Sequence, residues 1–160
     1  DEINRANLSR VFGELMYLLE YRDRTINLAS GDSFQIPENV RIIGTMNTAD
    51  RSIALVDHAL RRRFAFLELS PNMVVLRNYH STHSVNVEGL IQKLEEINQA
   101  INNPHFSLGI SFFLHPNLSQ NLMDIWKMEI EPYLTEYFFD QPGEVQKFCW
   151  DRIKDQLIPK

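Results

Sequence analysis

The sequence predicts two unlike parts, an α/β segment over residues 1–72 and an all-helical segment over residues 73–160. Three observations carry this division. Val40-Arg41-Ile42-Ile43-Gly44-Thr45-Met46 is a short, mostly apolar, β-branched run, as in strands covered on both faces of a parallel sheet. Phe64–Leu69 alternates well enough to form another strand. Beyond them, Val87, Leu90, Ile91, Leu94, Ile97 and Ile101 recur at helical spacing and form one apolar stripe.

The remaining elements follow in chain order. Asn7 is placed to cap a helix whose apolar face is Leu8, Val11, Phe12, Leu15, Leu18 and Leu19, ending near Tyr21–Arg22. Thr25–Leu28 and Ser33–Ile36 flank Gly31-Asp32 as a hairpin, and Pro37-Glu38-Asn39 is a turn. Asn47–Ser52 is a polar loop at the carboxyl end of the buried-type strand, where open α/β sheets bind ligands. Val56–Arg62 reads as a short helix, and Pro71-Asn72 closes the first part. With two strands and a hairpin, the sheet is thin and reads as a piece of a larger one. In the second part, Asn102-Asn103-Pro104 ends the striped helix, and Phe106–Leu114 is a short strand or an extended connection. Leu122, Ile125, Trp126 and Ile130 begin a helix that Pro132 is expected to break or kink. Tyr133, Leu134, Tyr137 and Phe138 continue its apolar face, and Val145, Phe148, Cys149, Ile153 and Leu157 form a last helix.

Composition narrows the function classes. The 160 residues are 44% hydrophobic and 23% charged, ordinary for a soluble domain, with no apolar run of the length that spans a membrane. The single cysteine excludes an internal disulfide and a cysteine zinc cluster, and it suits a reducing, cytoplasmic setting. The net charge of −5 is uneven: residues 1–70 hold ten acidic and nine basic side chains, residues 71–160 eleven and seven. An acidic chain is a poor non-specific nucleic-acid binder, because phosphate contacts need clustered Lys and Arg. The chain starts at Asp1 rather than Met, which reads as a fragment or a processed product.

Three segments can carry chemistry. Asp1-Glu2 is an acidic pair before a helix; it can hold the shell of a magnesium ion and orient a water, or it can simply suit the helix dipole. Thr45-Met46-Asn47-Thr48-Ala49-Asp50-Arg51-Ser52 can bring an amide to a terminal phosphate, or be a polar turn bonded to its own backbone. Arg61-Arg62-Arg63 can supply an arginine finger, a patch for phosphate backbones, or the cations favoured at a helix C-terminus. His80 and His83 lack the neighbouring ligands a metal site needs. Trp126, Tyr133 and Phe138 are read as core rather than a stacking platform, and Cys149 as a buried structural thiol.

In their order, the three segments resemble McrB-type AAA+ proteins, the GTPase subunits of methylcytosine-specific McrBC restriction systems. Asp1-Glu2-Ile3-Asn4-Arg5-Ala6-Asn7 resembles the Walker B end, Met46–Ser52 the sensor-1 signature, and Asp57-His58-Ala59-Leu60-Arg61-Arg62-Arg63-Phe64 the arginine-finger segment. The likeness continues through Ser111-Phe112-Phe113, the Trp126 helix, Glu131-Pro132-Tyr133-Leu134 and Tyr137-Phe138. It implies a partial AAA+ αβα core over residues 1–72, a P-loop NTPase fold without its first half, and a helical lid over residues 73–160. It further implies Asp1 as the Mg²⁺-associated carboxylate, Glu2 as the water-activating base, Asn47 as sensor 1, and Asp50 and Arg51 as its support. Arg62 and Arg63 are the leading finger candidates and Arg61 the third. GTP or ATP would be the substrate, in a ring, expected to be a hexamer, working with a McrC-type nuclease, and DNA would be engaged by the intact complex. The other readings are a non-catalytic AAA+-derived interaction module and a MoxR-like AAA+ ATPase. The chain departs from the family in three ways: no G-x-x-x-x-G-K-[ST] loop is present and the apolar strand expected before Asp1 is absent, so this segment alone is expected to be inactive, and Gly109-Ile110-Ser111 stands where the family's lid often reads Gly-His-Ser.

Overall fold

The computed structural model describes residues 1–47 and 61–157, which divide into two compact units, Asp1–Glu68 and Leu69–Lys160. No helix among the described residues is long and apolar enough to cross a membrane.

The first unit opens with a 3-10 turn at Ile3–Arg5, then α1 (Leu8–Phe12) and α2 (Leu15–Glu20). Asn7 does cap: its Oδ1 accepts the Arg10 N–H at 3.1 Å. The single helix expected from Leu8 onward is divided, because Gly13 sits in the left-handed region at φ 46°, a conformation that ends helices. The hairpin forms but is short. β1 (Ile26–Asn27) pairs antiparallel with β2 (Ser33–Phe34), with Ile26 opposite Phe34. Gly31, at φ 92°, closes its loop. Arg22 then ties the chain leaving the hairpin, donating from Nη2 to the Val40 carbonyl at 2.7 Å. Leu18 and Ile36 are the buried apolar residues of this unit among those described.

The two longer strands expected from the sequence are not formed. Val40–Met46 and Phe64–Leu69 join no ladder among the described residues, where the two-stranded hairpin is the only sheet. A strand covered on both faces takes its hydrogen bonds from neighbouring strands, and none of the described segments supplies one. Ile43 and Leu67 are accordingly each 88% exposed. The helix expected at Val56–Arg62 lies outside the described residues except for Arg61 and Arg62.

The second unit is helical: α3 (Met73–Ser81), α4 (Glu88–Ile101), 3-10 turns at Pro104–Phe106 and Ser111–Phe113, α5 (Leu118–Ile125), a π turn at Trp126–Ile130, α6 (Glu131–Tyr137), α7 (Pro142–Lys147) and α8 (Trp150–Leu157). The stripe on α4 is buried as its period requires, from Leu90 through Ile91, Leu94 and Ile97 to Ile101. Phe106–Leu114 is a connection rather than a strand: a 3-10 turn forms at Ser111–Phe113, and Leu108 is fixed by Asn98, which accepts its N–H at 2.6 Å and donates to its carbonyl at 3.2 Å. Trp126, Leu134 and Phe138 belong to the core, and Tyr133 packs against it.

Two features of this unit depart from the sequence reading. Pro132 does not break its helix. The π turn precedes it, with the Glu131 N–H reaching back to the Trp126 carbonyl, and the proline falls in the first turn of α6, where its missing N–H and its ring are tolerated. The last helix is two helices, because distant side chains claim the backbone groups that would join them. Trp126 Nε1 donates to the Phe148 carbonyl at 2.8 Å, and Glu131 Oε1 accepts the Trp150 N–H at 2.6 Å.

Gly89 marks the tightest helix contact. A Cβ there would stand 1.8 Å from the carbonyl oxygen of Gln156 on α8, a backbone atom that no rotamer can move. In an open helix Gly→Ala stabilises by roughly 0.8–1 kcal/mol. Here overpacking, at about 1–3 kcal/mol, outweighs that gain. Gly89→Ala is therefore expected to lower the melting temperature by about 2–8 °C by differential scanning calorimetry, and an unchanged or raised value would refute the contact.

Candidate active site

The candidate site is assembled where the start of the chain lies against the end of the Val40–Met46 run. Ile3 donates its N–H to the Thr45 carbonyl at 2.9 Å. The Glu2 N–H donates to Thr45 Oγ1 at 3.2 Å, and Thr45 Oγ1 donates to Asp1 Oδ1. Asn4 Nδ2 donates to the Asn47 carbonyl at 3.0 Å. Residues more than forty positions apart are thus held as two adjoining segments. Gly44 permits this, since a Cβ there would meet Ile3 Cδ1 at 2.7 Å. Glu2 takes the left-handed conformation, φ 47° and ψ 49°, so the chain turns sharply between the acidic pair and the 3-10 turn.

The expected site residues therefore fall into three groups. Asp1 and Glu2 are held against Thr45, and Asn47 lies two residues further along the same segment with its carbonyl bonded to Asn4; all three are exposed. Asp50 and Arg51 lie outside the described residues. The three arginines are described and behave differently. Arg61 and Arg62 are exposed, and the Arg61 guanidinium lies 5.6 Å from the centre of the Phe66 ring. Arg63 is largely covered, at 19% side-chain exposure, and pairs with Glu20 on α2. Glu2 pairs with Arg5 through Oε2 at 2.8 Å, both side chains reaching into solvent.

Three contributors were not singled out from the sequence: Asn4, Thr45 and Glu20. Asn4 is 8% exposed and carries a buried Oδ1 without a hydrogen-bond partner. Thr45 is, with Arg41, one of two polar residues in an otherwise mostly apolar run, which is a weak local signal. Glu20 gives none, since its partner Arg63 is distant in sequence.

The donor chemistry suits a magnesium ion. Among the described residues no cluster of three or more His, Cys, Asp or Glu could cage a metal. Magnesium does not require one: it keeps several waters and uses one or two carboxylates together with phosphate oxygens, which an exposed Asp1 beside Glu2 can serve. The other titratable candidates are committed elsewhere. His80 is fully buried and its Nε2 lies 2.7 Å from the Phe113 carbonyl, and His83 Nδ1 lies 2.9 Å from the Tyr79 carbonyl. Cys149 is partly rather than fully buried, and desolvation raises its thiol pKa above the ordinary value.

Residues 1–64 match the AAA domain family (dynein-related subfamily), and residues 89–146 match the alpha-helical lid domain of McrB. An AAA-type segment followed by a McrB-type lid defines the class. The chain is 43% identical to the type IV methyl-directed restriction enzyme EcoKMcrB subunit of Escherichia coli K12, over 92% of this chain and 38% of that protein. The chain belongs to the McrB family. It spans well under half the length of that relative.

The arginine geometry makes a stability prediction. Arg63→Ala removes a charged hydrogen bond and should destabilise the protein by about 1–2 kcal/mol, discounted because Glu20 remains half exposed. Arg62→Ala should stay within about 0.5 kcal/mol of the parent. Equal losses in urea unfolding would show that the Arg63–Glu20 pair contributes nothing.

Proposed function

We propose that this chain is part of an AAA+ nucleoside triphosphatase, Mg²⁺-dependent, that powers a DNA restriction complex. Residues 1–72 belong to its αβα core and residues 73–160 form its lid. The observation that supports the reading is the pairing of Asp1–Asn4 with Thr45–Asn47, which sets the exposed acidic pair alongside the segment that carries Asn47. Phosphoryl transfer asks little covalent chemistry of a protein; it needs a positioned water and charge stabilisation, and these residue types supply both.

Glu2 is the base: its carboxylate orients the attacking water and accepts its proton. Asn47 is sensor 1, which would offer its side-chain N–H to the terminal phosphate or the water, with Asp50 and Arg51 as its support. Asp1 carries the magnesium shell through water; the ion, when bound, neutralises charge on the phosphate oxygens. An arginine of a neighbouring subunit completes the site. Arg62 is favoured as that finger because it is exposed, whereas Arg63 is engaged with Glu20 in its own subunit and Arg61 lies against Phe66. A finger in trans requires a neighbouring subunit, and we propose that the subunits form a ring, a hexamer. The name of the Escherichia coli relative, a methyl-directed restriction enzyme subunit, supports a restriction role alongside a McrC-type nuclease, with DNA bound by the intact complex.

The substrate is GTP or ATP, with GTP the one that the motif resemblance implies. Phosphate release by the full-length protein, measured with GTP and ATP in parallel, tests the reading. Turnover with GTP is expected, reduced on the order of 10²-fold in Asn47→Ala by loss of one positioned donor. Turnover with ATP alone would keep the mechanism and remove the guanine preference. With neither nucleotide active, with or without DNA and nuclease partner, the interaction-module reading would replace this one.

A further inference from the structure

We infer that Thr45 is a positioning residue, whose single hydroxyl sets the direction of both carboxylate-bearing residues, Asp1 and Glu2. The inference rests on the hydrolase reading above. Thr45 touches three consecutive residues of the acidic segment: its Oγ1 donates to Asp1 Oδ1, its Oγ1 accepts the Glu2 N–H at 3.2 Å, and its carbonyl accepts the Ile3 N–H at 2.9 Å. A hydroxyl has one proton and two lone pairs. Here the proton goes to one residue and a lone pair to the next, so rotation about the Thr45 Cα–Cβ bond moves both contacts together. Glu2 sits in a left-handed conformation that a non-glycine residue holds only when its surroundings fix it, and the bond from its N–H to Thr45 is part of that fixing.

Packing does not explain the hydroxyl. Thr45 is exposed, and it follows Val40, Ile42 and Ile43 in a run where valine would serve a strand equally well. The neighbouring contacts serve different atoms: Asn4, nine-tenths buried, holds the Asn47 carbonyl, and Arg5 pairs with the Glu2 carboxylate, so Thr45 acts on Glu2 through its backbone and on Asp1 through its side chain. Valine at position 45 keeps the shape and the Ile3 bond while removing both hydroxyl contacts. Serine keeps the hydroxyl and removes only a methyl group.

Phosphate release by the full-length protein, at varied nucleotide and Mg²⁺, is measured for the parent, Thr45→Val, Thr45→Ser and Glu2→Gln. Thr45→Val should lower kcat by at least about tenfold, toward the 10²-fold cost of misplacing a reacting group, with KM for nucleotide within about twofold. The Mg²⁺ concentration for half-maximal rate should rise severalfold, since Asp1 loses its orienting donor. Thr45→Ser should stay within about threefold of the parent rate. A parent-like kcat in Thr45→Val, with Glu2→Gln inactive, overturns this inference and leaves the hydrolase reading intact. Equal loss in the valine and serine variants also overturns it, since that marks a structural role for the methyl group. An active Glu2→Gln removes the acidic-pair mechanism itself and the inference with it.

Discussion

The bond from the Ile3 amide to the Thr45 carbonyl is the tie on which the arrangement of the first unit depends. It is short-range in space and long-range in sequence, so ordering the chain between its ends costs entropy that the contacts must offset. It does not act alone. The Thr45 hydroxyl and the Asn4 amide bond on either side of it, and Gly44 removes the Cβ that would push Ile3 away. One small residue, one hydroxyl and one buried amide therefore decide where an acidic pair stands relative to Asn47. The proposed function depends on that placement, because Asp1-Glu2 anywhere else on the chain would be an ordinary solvated pair.

The second unit is governed by a different constraint, the satisfaction of backbone groups by side chains from other elements. Asn98 meets both backbone groups of Leu108, Trp126 meets the carbonyl of Phe148, and Glu131 meets the amide of Trp150. A buried polar group without a partner costs more than a typical hydrogen bond gains. These three side chains therefore fix where helices stop and loops turn, while the apolar stripe only fixes which face of each helix is inward.

What could be read from the sequence follows the same divide. The stripe on α4, the cap at Asn7 and the Gly31 hairpin are local, with cause and effect within a few residues, and all three are present. The division at Gly13 is local too, but an unbroken apolar period masked it. The gap between α7 and α8 was not legible, because its cause lies in Trp126 and Glu131. Val40–Met46 has the composition of a covered strand, and composition cannot provide the neighbour that would pair with it. At the site, the acidic pair, Asn47 and the arginines were recognisable as types in a family order. Thr45, Asn4 and the Arg63–Glu20 pair were not, since each acts through a partner about forty positions away.

The π turn at Trp126–Ile130 carries a consequence for the rest of its helix. An α-helix rotates about 100° per residue, so a widened turn works as a phase shifter for everything after it. On one side of the shifter Leu118, Leu122 and Trp126 point inward, and on the other side Ile130, Leu134 and Phe138 do. Winding these five residues at α-helical pitch with their number unchanged would swing the following tyrosines, Tyr133 and Tyr137, around the axis by about a quarter turn. The hydroxyls of those tyrosines, now bonded to the carbonyls of Phe106 and Ile101, would then face the wrong neighbours. The pitch of those five residues is thus as constrained as any side chain in this unit.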